Sequence, residues 1–66
     1  MKVKDLKEML CRYHGLLDVA SESLDETLAI ACSPECILAA FGKETLVNLY
    51  PDYTPMFGAT LVLVIA

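Results

Sequence analysis

The fold is decided by the stretch Ser33-Pro34-Glu35-Cys36-Ile37-Leu38-Ala39-Ala40-Phe41-Gly42. Serine is a preferred N-cap, proline suits the first helical position because no partner is needed there for its missing N–H, and an acidic residue complements the helix dipole. Ile37, Leu38 and Phe41 share one face of a helix, and Gly42 stands where a left-handed glycine commonly ends a helix. The stretch therefore predicts a helix that stops at a glycine.

Two strand patterns follow this helix. Residues 44–50 alternate in the strand manner, with Val47 and Leu49 on one face. Residues 51–55 contain two prolines and an aspartate, which predicts a turn or loop. Residues 59–65 are β-branched and apolar on both faces, as in a buried strand.

The first half of the chain carries the same pattern 28 positions earlier. Leu6, Met9, Leu10 and Tyr13 have the spacing of a buried helical stripe over residues 4–13, and Gly15 is expected to end that helix. The pattern predicts a strand around Val19, in the place that Val47 holds in the second half.

Residues 22–32 leave two predictions open. The polar run at 22–26 suits a hairpin turn before a strand over 27–32, in which Leu28 and Ile30 share one face. Ser23 and Glu26 also match a capping box, which would start a helix instead. The hairpin is favoured because Ser33-Pro34 would break such a helix early and its apolar stripe is poorly formed.

The element order is helix, strand, strand, helix, strand, strand (αββαββ). It predicts a single α+β domain over residues 1–66, made of two αββ units at 1–32 and 33–66. The expected architecture has two layers, with a largely antiparallel four-stranded sheet and both helices on one of its faces.

Composition excludes some function classes. The net charge of −4 argues against nucleic acid as the main ligand, since phosphate binding needs concentrated lysine and arginine. The N-terminus lacks a secretory signal, no apolar run is long enough to span a membrane, and an odd number of cysteines fits the cytosol. An apolar content of 56% is high for 66 residues, which predicts self-association or a protein partner.

The only constellation with metal-binding potential consists of Cys11, His14, Cys32 and Cys36. Four such ligands can satisfy tetrahedral zinc, and a small chain gains stability from a metal. However, both pairs fall on predicted regular elements, and Cys11 and Cys36 are expected to point away from the apolar stripes. Outward cysteines are the favoured interpretation, and a zinc-stabilised structural module is the alternative function.

Catalysis has no support in the sequence. Cys36 near a helix start and His14 as the only imidazole do not form an oriented nucleophile and base. The carboxylates lie in a predicted turn or on a solvated helix face, and no phosphate loop or nucleophile elbow is present. We therefore expect no enzyme activity and no cofactor.

The face of the sheet opposite the helices is the predicted interaction surface. If the helices cover one face, Leu46, Tyr50, Val62 and Val64 line the other with nothing left in the chain to bury them. Aromatic and methionine side chains near the proline loop extend this surface, since such residues are favoured at interfaces. The additional residues are Tyr53, Met56 and Phe57.

Four segments carry a resemblance to a group of known proteins: Met-Lys-Val-Lys-Asp-Leu at 1–6, Leu-Leu-Asp-Val at 16–19, Ser-Pro-Glu-Cys-Ile-Leu at 33–38 and Phe-Gly-Lys-Glu-Thr-Leu-Val at 41–47. In these segments the chain resembles small uncharacterised proteins encoded by bacteriophages and other mobile elements. It departs from them in its three cysteines and in the loop at 51–55. The resemblance implies a cytosolic accessory protein of α+β fold, and it implies no catalytic or ligand residue. The small size, the acidic charge, the uncovered apolar strand face and the lack of a catalytic site predict a non-enzymatic interaction module that binds, and modulates or inhibits, a host protein.

Overall fold

The computed structural model describes all 66 residues. A 3-10 turn over Val3–Leu6 leads into helix α1 (Lys7–Arg12), and strands β1 (Leu16–Ser21) and β2 (Glu26–Cys32) follow. Helix α2 spans Pro34–Phe41, and strands β3 (Leu46–Thr54) and β4 (Gly58–Ile65) complete the chain.

The four strands form one mixed sheet in the order β2-β1-β4-β3. Both hairpins are antiparallel, and the central strands β1 and β4 are parallel, so the predicted α+β class and mostly antiparallel sheet are confirmed. The two αββ units do not hold equivalent places, because β1 is central whereas its counterpart β3 is an edge strand. Val19 is accordingly fully buried, while Val47 is 47% exposed.

Residues 22–25 form a turn between β1 and β2, so the hairpin prediction is confirmed and the helix alternative is wrong. The Leu24 N–H donates to Ser21 Oγ at 3.2 Å within this turn. Asp25 has a positive φ of 50°, a conformation that aspartate tolerates better than most residues.

Helix α2 begins as predicted, since Ser33 is its N-cap and Ser33 Oγ accepts a hydrogen bond from the Cys36 N–H at 3.4 Å. The prediction that Gly42 is left-handed is wrong, because its φ of −54° is that of a right-handed helix. A Cβ at Gly42 would lie 2.5 Å from the Leu38 carbonyl oxygen. Glycine suits this position because of that close approach.

Helix α1 ends earlier than predicted. Its last residue is Arg12, and Tyr13 is already extended with φ −78° and ψ 124°. Gly15 has no positive φ, so a left-handed glycine does not end this helix.

Strand β3 runs through Pro51 to Thr54, so the predicted loop over residues 51–55 is wrong for most of its length. Proline is tolerated on an edge strand where its missing N–H would have faced solvent. The turn is confined to residues 55–57, and Gly58 with φ 71° completes a three-residue hairpin loop of the kind that needs a left-handed residue.

One hydrophobic cluster joins the helical segments to a single face of the central strands. Leu28 and Ile30 were expected on that face but are exposed, and Ala29 of β2 packs against the cluster instead. Met9, predicted to be part of the α1 stripe, is also exposed. The buried members are Val3, Leu10, Leu17, Val19, Ile37, Leu63 and Ile65.

Thr60 carries the only buried side-chain oxygen that has no hydrogen-bond partner. The residue is 1% exposed, so water does not satisfy its hydroxyl. Because an unpaired buried hydroxyl costs about 1–3 kcal/mol and valine has nearly the same shape, Thr60→Val is expected to stabilise the fold by about 1 kcal/mol. In a domain of this size that gain raises Tm by about 4–8 °C, which thermal unfolding followed by circular dichroism measures.

The control for this prediction is Thr27→Val. Thr27 is an exposed residue of the edge strand β2, and its hydroxyl is free to bond water. Its replacement should leave Tm nearly unchanged. A lower Tm for Thr60→Val would mean that the hydroxyl has a partner in solution.

Candidate functional site

The register of the sheet defines a surface that we call the open face. Strands β1 and β4 pair without a register shift, so that Asp18 lies opposite Val62 and Ala20 lies opposite Val64. On the other side of β4, Tyr50 of β3 pairs with Val62. None of these residues belongs to the hydrophobic cluster or packs against it. Because side chains alternate between faces, the open face includes Ile30 of β2, next to the cluster-facing Ala29. The open-face residues of the other three strands are Leu16, Asp18, Ala20, Asn48, Tyr50, Asp52, Thr60, Val62 and Val64.

This register places only some residues of the predicted interaction surface on the open face. Tyr50, Val62 and Val64 lie on the open face as expected. Leu46 was assigned to the same face, but it pairs with Ile65 and packs against the hydrophobic cluster. The cause is a bulge between Leu46 and Asn48 that adds one residue to β3 and reverses the alternation.

Tyr53 points to the opposite side of β3 from Tyr50, since the two residues are three positions apart. It pairs with Ala59 and is 71% exposed. Met56 and Phe57 lie in the turn of the β3–β4 hairpin, where the Phe57 N–H donates to Thr54 Oγ1 at 3.0 Å. The seven predicted residues therefore do not form one continuous surface.

The predicted interface residues contribute only part of the accessible apolar area of the open face, since Ile30 of β2 is 60% exposed there. Tyr50 is 43% exposed and Val64 is half-buried, while Val62 between β1 and β3 is only 5% exposed. Val62 is therefore almost inaccessible to a partner. Tyr50 and Val64 are the predicted interface residues that a partner can reach on this face.

A shallow depression of about 320 Å³ adjoins Tyr50 and Val64. The β1–β2 turn and the first residue of β2 supply its other wall, which is lined by Glu22, Asp25 and Glu26. All three residues are exposed. An apolar surface with an aromatic ring therefore meets a strongly acidic rim.

Charge is segregated between the two parts of the fold. The strands and their hairpin turns contain no lysine or arginine, and all five cations lie in the N-terminal segment, in α1 or directly after α2. Sequence reasoning missed this, although the signal is plain: no lysine or arginine occurs between Arg12 and Lys43 or after Lys43. The five carboxylates of the strand region, all on the open face or at the depression, are Asp18, Glu22, Asp25, Glu26 and Asp52.

The outer edge of β3 has no free N–H over residues 49–53. The Leu49 N–H donates to Asn48 Oδ1 and the Tyr53 N–H donates to Asp52 Oδ1, each at 2.8 Å. Pro51 lies between them and has no N–H. Since N–H groups of an antiparallel strand alternate between its two edges, these three positions share the outer edge. A further strand would find no N–H at Pro51 and would have to displace the side-chain hydrogen bonds at Leu49 and Tyr53.

The outer edge of β2 is irregular for a different reason. Its register with β1 shifts twice, once between Val19 and Ala20 and once between Leu17 and Val19, with an extra β2 residue each time. Ala31, near the end of β2, has a positive φ of 54°, and its N–H donates to Asp18 Oδ1 at 2.8 Å. Bulges twist an edge strand and interrupt its regular pairing. Neither edge of the sheet therefore offers a regular row of free N–H and C=O groups to another strand.

The candidate zinc ligands are not brought together. No group of three or more histidine, cysteine, aspartate or glutamate side chains lies close enough to hold a metal ion. Cys11, His14 and Cys36 are exposed, and Cys32 is half-buried against the hydrophobic cluster. The structure therefore offers no zinc site built from Cys11, His14, Cys32 and Cys36.

Both helices of the chain are short. None of its helices has both the length and the apolar character needed to cross a membrane. No protein-family model, no curated protein and no solved structure matches the sequence or the fold.

Proposed function

We propose that this chain is a small acidic, non-enzymatic protein-interaction module that binds its partner through the open face. The observation that carries the proposal is the half-exposed ring of Tyr50 beside Val64, on a sheet face that contributes nothing to the hydrophobic cluster. Tyrosine supplies a large contact area at a small cost in side-chain entropy, which favours it at interfaces. No catalytic residue, metal or cofactor has a role in this proposal.

The proposal includes a two-layer arrangement, with both helices packed on the face opposite Tyr50. Leu10 of α1 and Ile37 of α2 belong to the same buried cluster as Val19 and Leu63, which supports this arrangement. A partner seated on the open face would then add a third layer and cover the sheet on its second side.

The resemblance to phage accessory proteins suggests the form that binding would take. Such a module would occupy a surface on a host protein and thereby modulate or inhibit it. To block a surface, the module needs a complementary surface and a stable fold, and it needs no catalytic residues.

Site-specific photo-crosslinking tests the proposal with a matched pair of positions. Tyr50 and Tyr53 are tyrosines of the same strand whose side chains point to opposite sides, and Tyr53 is the more exposed. Each is replaced in turn by the photoreactive amino acid p-benzoylphenylalanine in cells that contain the partner. We expect an adduct of one discrete mass from position 50 and none from position 53.

The two positions also distinguish the contrary outcomes. Equal adducts at both positions would mean that contact follows exposure alone, and adducts only at position 53 would move the interface to the helix-facing side of β3. Absence of any adduct at position 50 would contradict the proposal. An adduct of twice the 7.2 kDa chain would identify a second copy as the partner.

A further inference from the structure

We infer that the partner on the open face presents a cationic amphipathic helix. This inference rests on the proposed function and adds the chemistry of the partner to it. The apolar surface, the distribution of charge and the two closed sheet edges support it independently.

The charge distribution indicates a cationic partner. Asp18 and Asp52 lie on the open face, and Glu22, Asp25 and Glu26 stand beside Tyr50 at the depression, with no lysine or arginine in the strand region. Complementary charge at the rim of an interface steers association and selects among partners. Lysine or arginine flanking an apolar stripe would meet these carboxylates while the stripe covers Tyr50 and Val64.

The same charge distribution argues against a second copy of this chain as the partner on the open face. Two open faces packed together would bring two sets of five carboxylates to one interface with no cation between them. Like charges opposed across an interface are unfavourable. The self-association expected from composition therefore does not suit this surface.

The sheet edges argue against a strand as the bound element. A strand joins a sheet through backbone hydrogen bonds along a free edge. The β3 edge lacks a free donor at Leu49, Pro51 and Tyr53, and the β2 edge is interrupted by two register shifts. A helix needs no free edge, because it packs on a sheet through side chains alone.

Three synthetic peptides serve as probes, each labelled with fluorescein and about 18 residues long so that a helix of several turns can form. The first places leucines at helical spacing with lysines on the remaining face. The second replaces every lysine with glutamate, and the third has the composition of the first with leucine and lysine alternating at the two-residue period of a strand. Fluorescence anisotropy at several salt concentrations gives the Kd of each.

The first peptide is expected to bind more tightly than the other two, with an affinity that falls as salt rises. Glu22→Lys, in the turn that lines the depression, should weaken its binding by about tenfold, since it reverses a charge at the rim of the proposed interface. Glu44→Lys changes the net charge equally but lies among residues of the helical side, beside Lys4 and Leu38. It should change Kd by less than about twofold. Circular dichroism verifies that both variants are folded.

Four results would overturn the inference. Equal or tighter binding of the glutamate peptide would remove the charge argument, and tighter binding of the alternating peptide would mean that a strand is the preferred element. An equal loss with Glu44→Lys and Glu22→Lys would mean that binding reports net charge and not contact with the open face. If no peptide binds while position 50 still crosslinks to another protein, the proposed function stands and the partner chemistry is wrong.

Discussion

Leu63→Ala is expected to leave a large fraction of the protein unfolded in water at room temperature. Leu63 lies on the central strand β4, is fully buried and pairs with Val19 on one side and Leu49 on the other. A buried leucine replaced by alanine costs about 2–5 kcal/mol, and a single core in a chain this short supplies about 3–5 kcal/mol. The substitution therefore removes most or all of the net stability.

Far-UV circular dichroism with urea titration measures this effect. The matched control is Leu24→Ala, the same substitution at an exposed turn residue, where a change within about 0.5 kcal/mol is expected. A cooperative transition for Leu63→Ala close to that of the natural chain would show that this side chain is not central to the core.

Asp18→Ala is expected to lower the free energy of unfolding by about 1–3 kcal/mol, because it removes the charged acceptor of a part-buried backbone N–H. Asp18 Oδ1 accepts from the Ala31 N–H at 2.8 Å, and Ala31 is held with a positive φ of 54°. This bond ties the end of β2 to β1 at a point where the regular register fails. Without it, the end of β2 is expected to separate from the sheet first.

Urea unfolding gives the stability change, and amide hydrogen exchange at Ala31 gives its location. Asp18→Asn retains an acceptor oxygen and should lose less stability than Asp18→Ala. Asp52→Ala is the positional control, since Asp52 also accepts a backbone N–H at 2.8 Å but is exposed, so water can replace the bond. Comparable losses for Asp18→Ala and Asp52→Ala would contradict a special role for the bond to Ala31.

Local signals in the sequence predicted the elements well where their physical cause is local. The N-cap at Ser33 and the proline after it describe α2 correctly, and the polar run at 22–26 identifies the first hairpin. The loop prediction over 51–55 failed because proline excludes a central strand and permits an edge strand. Whether β3 is an edge strand depends on the order of the sheet, which no local signal contains.

The candidate surface could be predicted only in part, for a related reason. Alternation placed Tyr50, Val62 and Val64 on one face correctly. Leu46 was placed on the wrong face because a single extra residue at Val47 reverses the alternation, and such a bulge has no marker in this sequence. Charge segregation was readable from the sequence, but the proximity of Glu22, Asp25 and Glu26 to Tyr50 required the folded chain.

Short-range signals specify the class of the fold, the order of its helices and strands, and the division of charge between its helical and strand regions. Those properties follow from hydrophobic period, capping, turn residues and composition, which act over a few residues. Three features depend on long-range pairing. They are the central position of β1 and β4, the side-chain hydrogen bonds that occupy the outer N–H groups of β3, and the set of side chains that share the open face. Strand pairing joins residues distant in the chain, and each bulge changes the face of every residue beyond it.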